Sequence, residues 1–340
     1  MIVIRTARRL SLRLHPRALA VGTAGLLLAL AAGVLAIGHG DYPMSPADVL
    51  RTLTGGGSPA EEFIVTELRL PRLVTALAVG AALGLAGAVF QSLVRNPLGS
   101  PDVLGFTQGA ATGALVVVAV GGSSAALAGS AALGGIVTGV LIYLVAWRRG
   151  VHGYRLVLVG IGMSAILTGV NGYLMTRVPL MSASRAMLWL TGSLDGRGWS
   201  DAAPLLAALA VLVPVLLACA PALRMTELGD DAASGLGVNV HRLRMLLLAA
   251  AVLLVALAAA AAGPVSFVAL TAPHLARRLT RAPGVNLLPA AVIGALIIVL
   301  ADQVTLRVLP GQLPVGVVTG VIGGGYLAWL LATERRAGRL

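Results

Sequence analysis

The sequence predicts an all-α, polytopic membrane protein of about ten transmembrane helices with both termini in the cytoplasm. Three observations carry that prediction. Hydrophobic residues make up 58% of the 340-residue chain and charged residues 11%, against roughly 25% charged in an average soluble domain, and mean hydropathy is +0.93. The apolar residues fall into blocks of about 17–25, the length a helix needs to cross about 30 Å of hydrocarbon. Arginines collect between the blocks, mostly on alternate sides.

The blocks follow one another without a soluble domain between them, so residues 1–340 read as one transmembrane domain. The first, Ala18–Ile37, follows five arginines from Arg5 to Arg17. A signal peptide also starts basic and turns apolar, but its apolar core runs to about 7–15 residues; this longer run reads as a retained first span. Residues 39–67 read as an extracytoplasmic loop with a short helix at Pro46–Leu53 and a flexible "TGGGSP" hinge. The further spans are Pro71–Leu93, Gly105–Val120, Ala125–Trp147, Leu156–Met175, Ala202–Leu223, Met245–Ala262, Val265–Leu279, Leu287–Val304 and Val315–Leu331. Residues 224–244 form the longest cytoplasmic connection.

Arginine placement sets the orientation. With both termini inside, 18 of the 25 arginines are cytoplasmic and 7 (Arg51, Arg69, Arg72, Arg177, Arg185, Arg197 and Arg307) are outside, the asymmetry of the positive-inside rule. Every basic residue is Arg. A net charge of +12 and a pI near 11.4 would suit nucleic acid, but basic residues at span ends read as contacts with lipid headgroups and not with nucleic acid. The lack of Lys beside abundant Ala and Gly is the composition of a bacterial genome of high G+C content. Cys219 stands alone, so an intrachain disulfide or Cys-based metal site is excluded.

The third and eighth spans are short, and Pro and Gly crowd their flanks. Backbone broken in this way survives at membrane depth only inside protein or along a cavity. The stretch "NPLGSPDVLGF" (Asn96–Phe106) before the third span is the clearest case, with Asn96 and Asp102 reading as helix-end caps. A faint echo relates Gly87/Pro97 to Gly263/Pro273 and Gly160/Gly169 to Gly316/Gly325, as in transporters built from internal repeats.

No catalytic or metal-ligating constellation is visible. The five histidines lie in loops or at span ends, and a chain without Lys has no phosphate-binding "GxxxxGK[ST]" loop; any ATP-driven step needs a separate chain. Asp302 is the clearest intramembrane charge, either a relay in an ion-coupled secondary transporter or a partner of Arg307 or a helix-terminal amide. In "ELRLPR", Arg69 and Arg72 sit three apart, with Pro71 suited to a helix's first turn. They read equally as interfacial anchors or as a positive socket for acidic groups. In "ELGDDAASGLGVNVHRLR", Glu227, Asp230 and Asp231 favour a helix N-terminus, and Gly235 and Gly237 allow a sharp turn. Those residues make either a plain interfacial loop or a knob for a cytoplasmic motor.

Five stretches in order resemble the permease family of bacterial ABC importers for iron–siderophore complexes, haem and cobalamin, the FecCD or BtuC-type permeases. They are "LRLPR" (Leu68–Arg72), "GAVFQSLVRNPLGSPDVLGF" (Gly87–Phe106), "LGDDAASGLGVNVHRLR" (Leu228–Arg244), "GPVSFVALTAPHLARRL" (Gly263–Leu279) and "LPVGVVTGVIGGGYLAWLL" (Leu313–Leu331). With "GDYPMSP" (Gly40–Pro46), "NPLGSPDVLGF" is most similar to the ferric-enterobactin-type branch. The resemblance implies a non-catalytic, ten-span subunit of the plasma membrane. It would pair with a second permease subunit, more often a different chain than a copy. It binds no cofactor itself; ATP and magnesium sit on two cytoplasmic ATPase subunits. These dock on a coupling loop matched by Glu227, Leu228, Gly229, Asp230, Asp231, Gly235, Leu236 and Gly237. An extracytoplasmic siderophore-binding protein docks on Arg69, Arg72 and Arg307. Haem or cobalamin import is the alternative cargo within the family. The chain departs from the family pattern at Gln312, where many members carry Glu, and in the spacing of Arg307 before it.

Overall fold

A computed structural model describes residues 2–6, 10–40, 42–147, 153–307 and 313–336. Expectations attached to Arg8, Arg9, Arg148, Arg149, Gln312 and Arg339 fall outside these residues. The chain begins with an antiparallel hairpin, β1 (Ile2–Thr6) and β2 (Leu10–Leu14), in which Ile2 faces Leu14. In β2 (LSLRL) apolar and polar residues alternate with the period of a strand, whereas β1 (IVIRT) is an apolar run followed by two polar residues.

Ten helices of 13 residues or more among the described residues, seven of them in stretches long and apolar enough to cross a membrane, correspond to the ten expected spans. They are α1 (Pro16–Gly38), α4 (Leu70–Val94), α5 (Phe106–Ala119), α6 (Ser124–Ala146), α7 (Gly153–Arg177), α9 (Trp199–Thr226), α11 (Val240–Ala262), α12 (Val268–Thr280), α13 (Leu287–Arg307) and α14 (Val315–Arg336). Between them lie α2 (Pro46–Leu53), α3 (Pro59–Phe63), α8 (Leu180–Leu190) and α10 (Asp230–Gly235). Pro46 and Pro59 open α2 and α3, where a missing N–H is harmless. Ser45 with Asp48 and Ser58 with Glu61 close both starts as capping boxes. The Ser45 hydroxyl and the Ser58 backbone N–H donate to Asp48 and Glu61 respectively, holding both carboxyls below their usual range.

The second span does not start at Pro71. Helix runs unbroken from Pro59 to Val94, with a π-helical turn at Ile64–Arg69. In a plain α-helix the Pro71 ring would press on the carbonyl of Glu67; the wider π turn just before it takes up that clash. The shortness of two spans stands: α5 has 14 residues and α12 has 13, about 20 Å each at 1.5 Å per residue. Neither alone reaches across the bilayer.

Helix α4 is the hub. Of its most apolar window 78% is buried, against 17% for α7 and α9, so α4 is enclosed while α7 and α9 lie at the rim. Glycine decides this placement. A Cβ at Gly80 would lie 2.3 Å from the Gly294 carbonyl, and one at Gly84 2.2 Å from that of Ala290, both in α13. At Gly87 a Cβ would collide with the Ala269 carbonyl of α12. The helices meet backbone to backbone, the close packing that small residues permit in membranes, where apolar side chains gain little over lipid.

Packing also reveals an inverted repeat. Helix α4 packs on α13 as α11 packs on α6; α5 on α6 as α12 on α13; and α5 on α7 as α12 on α14. Thus α4–α7 and α11–α14 are corresponding units, and α4 and α11 run in opposite directions. The residues sharing a role differ from the expected pair. Gly87 lies mid-helix and Gly263 ends α11. The matching positions are Gly105 (φ 85°) and Phe267 (φ 68°), left-handed residues that each open a short helix.

Candidate functional site

Polar residues gather at three levels. At the end that the arginine rule places outside, a cavity of about 570 Å³ is lined by residues that include His39, Tyr42, Glu67, Arg69, Arg72 and Asp195. Arg72 donates from Nε to Asp302 Oδ2 at 3.1 Å and from Nη2 to Oδ1 at 2.8 Å. This fork joins the start of α4 to the end of α13. The Arg72 side chain is 24% exposed and that of Asp302 7%; Asp195, 68% exposed, approaches Arg72 at 3.5 Å. Asp302 therefore pairs with Arg72, and not with Arg307, which the sequence offered as one of its possible partners.

Arg69 points elsewhere. Its guanidinium donates to the carbonyls of Ile37 (2.6 Å) and Tyr42 (2.8 Å), clamping the loop after α1 against the π turn. Gly40 makes room, since a Cβ there would lie 2.7 Å from Arg69 Nη2, and its φ of 141° suits glycine alone. This explains the glycine of "GDYPMSP". Arg307 is exposed, and its Nη2 donates to the Leu35 carbonyl at 2.7 Å. The three arginines thus lie at one end of the molecule, each already donating to its own chain. Trp199 completes the rim, donating from its ring nitrogen to the Thr66 carbonyl at 3.0 Å.

At mid-depth the two interrupted connections meet. Asp102 Oδ2 accepts from the backbone N–H of Phe267 at 3.2 Å and from the Ser100 hydroxyl at 3.2 Å. Asp102 does cap a helix, as expected, but the helix is α12, 165 residues away; α5 starts at Gly105 without a side-chain cap. Asn96 instead accepts from the Leu98 N–H at 2.9 Å within its own turn.

At the inner end, α9 stops at Glu227, the chain turns at Gly229 (φ 113°), α10 runs for six residues, and Gly237 (φ 86°) redirects it into α11. Of the two glycines expected to bend here, only Gly237 has a positive φ; Gly235 ends α10. Leu228 (72%) and Leu236 (62%) stand exposed at either end of α10 while Ala233 is buried beneath it. Asp231 is exposed too. Asp230 is gripped from two sides: Arg95, the left-handed residue ending α4, donates to Oδ1, and Arg244 of α11 bonds both oxygens at 2.8 Å. Arg95 also donates to the Thr226 carbonyl at 2.7 Å.

Sequence reasoning named Asp230 but missed its holders, Arg95 and Arg244, and missed Asp195. Arg95 carried one local signal, a polar residue just before the helix-breaking Asn-Pro. Nothing near Asp195 in the sequence marks it as a neighbour of Arg72. Among the described residues no three His, Cys, Asp or Glu side chains gather as metal ligands would.

Comparison with known proteins places these features in context. The model of the FecCD transport family matches residues 26–333. The ferric enterobactin transport system permease protein FepG of Escherichia coli (strain K12) is 44% identical over 90% of this chain and 93% of its own. The Fe(3+)-citrate import system permease protein YfmE of Bacillus subtilis (strain 168) is 38% identical over 89% of this chain and 92% of its own. Among solved structures, a metal-chelate type ABC transporter in an inward-facing conformation aligns with a TM-score of 0.83 at 28% identity, covering 92% of this chain and 99% of that one.

Proposed function

The chain belongs to the FecCD transport family, and from that premise we propose that it is the permease subunit of an ATP-driven importer carrying ferric-siderophore complexes across the bacterial plasma membrane. The observation that carries this reading is 44% identity, along nearly the whole chain, to a permease named for ferric enterobactin. The inverted repeat with two shortened spans is the architecture such a role needs, because broken helices line a path where continuous ones seal it.

The chain supplies no catalytic group. ATP and magnesium bind to two cytoplasmic ATPase subunits, which seat on the loop 224–244. The exposed Leu228 and Leu236 enter the motor's surface, and Asp231 meets its rim. A second permease subunit packs against α7 and α14. This is supported by Gly162, Gly169 and Gly172 on α7 and Gly320, Gly324 and Gly325 on α14, where an added Cβ would meet nothing. Such faces admit the backbone of another helix closely.

On the outside, the siderophore-binding protein docks over Arg69, Arg72 and Arg307. Arg307, being exposed, meets one carboxylate of that protein. Arg72 takes another by releasing Asp195, while Asp302 holds the guanidinium in place. Charge pairing of this kind sets register and association rate more than affinity.

The test is uptake in a strain lacking the gene, with the chain restored from a plasmid. Ferric enterobactin, ferric citrate and haem labelled with radio-iron, and cobalamin labelled with radio-cobalt, are offered in turn. Restored accumulation of a ferric siderophore is the expected result. Restored haem or cobalamin uptake without any ferric complex would overturn the cargo assignment. Ion-driven flux by the chain alone in liposomes would overturn ATP dependence.

A further inference from the structure

We infer that Gln91 is a positioning residue that makes α12 follow the coupling helix α10, so that the motor's movement reaches a shortened span through α4. The inference rests on the reading of α10 as the ATPase contact.

Gln91 lies one turn before Arg95 and is 3% exposed. Both ends of its amide are used across the gap to α12. Nε2 donates to the Leu270 carbonyl at 3.1 Å, and Oε1 accepts from Arg277. Leu270 lies in the first turn of α12 and Arg277 in the last, so one side chain bonds both end turns of a helix only 13 residues long. One turn earlier, Gly87 stands backbone to backbone with Ala269 and leaves no room to slide. The N-terminus of α12 is held in turn by Asp102, from the connection that follows α4. Helix α12 is thus gripped along its length by α4 and the residues after it.

The other end of this linkage is the Asp230 fork. Arg95, at the end of α4, ties α10 through Asp230 and α9 through the carbonyl of its last residue, Thr226. A cavity of about 310 Å³, lined by Gln91, Arg95, Glu227 and Arg277 among others, lies between these parts and leaves space for them to shift together. Packed elements joined by charge-assisted bonds move as a body. Pulling α10 therefore draws α4 and α12 with it, and Gln91 is the only side chain on α4 that the described residues show bonding α12.

The experiment uses the assembled importer, with partner permease, ATPase and binding protein, in liposomes. Ferric enterobactin is the transported probe, and ATP hydrolysis and uptake are measured together. Gln91→Met keeps the side chain's shape and removes both bonds. Thr75→Val removes a buried bond of α4 that reaches no other helix and serves as control. Uptake per ATP should fall about tenfold in Gln91→Met, the order of a coupling carried by one buried hydrogen-bonded link, with ATPase attachment retained and Thr75→Val unchanged. Unchanged uptake per ATP in Gln91→Met, or an equal fall in both variants, would overturn the role of Gln91. Leu236→Arg reports on the docking reading separately: if the ATPase stays attached to that variant, α10 is not its seat.

Discussion

Replacing Arg72 with Met tests whether the outer ion pair is chiefly a part of the fold. The substitution leaves the Asp302 carboxylate, 7% exposed, without either of its two guanidinium bonds. Removing one partner of a buried pair costs about 3–5 kcal/mol, because the remaining charge is desolvated and uncompensated. Asp302→Leu alone strands Arg72 less severely, since Asp195 lies beside it at 3.5 Å. The double variant Arg72→Met/Asp302→Leu fills the same space with apolar groups and should lie within about 1 kcal/mol of the parent, as buried pairs replaced together often do. Reversible denaturation in lipid nanodiscs would give the four stabilities of a double-mutant cycle. The expected outcome is a strongly sub-additive cycle, with the double variant more stable than Arg72→Met. Independent losses below about 1 kcal/mol each, the range of an exposed pair, would refute the buried-clamp account. The rescued double variant then isolates docking: it folds but lacks one positive contact, so the binding protein should bind more weakly, with a smaller salt dependence. Reversing Arg72 to Glu is the poorer probe, because it sets a second carboxylate against Asp302 and confuses docking with misfolding.

Further predictions concern the helix seams, the mid-depth cap and the loop 224–244. Gly84→Val should sharply lower the yield of monodisperse protein, since even a Cβ would lie 2.2 Å from the Ala290 carbonyl and overpacking costs about 1–3 kcal/mol or more; Gly129→Ala, facing open space, should leave yield unchanged. Asp102→Leu uncaps α12 and should speed amide exchange at Phe267, with a loss of about 1–3 kcal/mol for the stranded donor; equal exchange in parent and variant would remove Asp102 from that role. Gly237→Val forces a β-branched residue to a φ of 86° and should reduce uptake while the protein still inserts, whereas Gly235→Ala should transport normally. Asp230→Ala removes the carboxylate that Arg95 and Arg244 share and should reduce uptake per ATP with the ATPase still attached; normal transport would leave the loop as a mere connection.

Span number, the two shortened spans, the short outer helix at Pro46–Leu53 and the family were legible in the chain. Each rests on local information: run length against bilayer thickness, helix breakers at short spacing, an N-cap serine before a proline, or a motif. Of the two N-terminal strands only Leu10–Leu14 alternates with period two; Ile2–Thr6 does not, and the arginines among them drew the reading toward a plain cytoplasmic tail. The unbroken helix through Pro71 was hidden because a π turn has no sequence signature of its own.

The candidate site divides in the same way. Arg69, Arg72 and Asp230 stood out by residue type and position, whereas what each one holds did not. By itself the sequence determined that about ten helical segments build the membrane domain, where they break and on which side most charges fall, because burial in lipid acts on each segment alone. Only the tertiary structure decided that Arg72 closes on Asp302 and Asp102 caps α12. It alone set Gln91 between α4 and α12. Those pairings depend on which helices touch, and glycines at Gly80, Gly84 and Gly87 settle that through backbone contacts that exist only once their partners arrive.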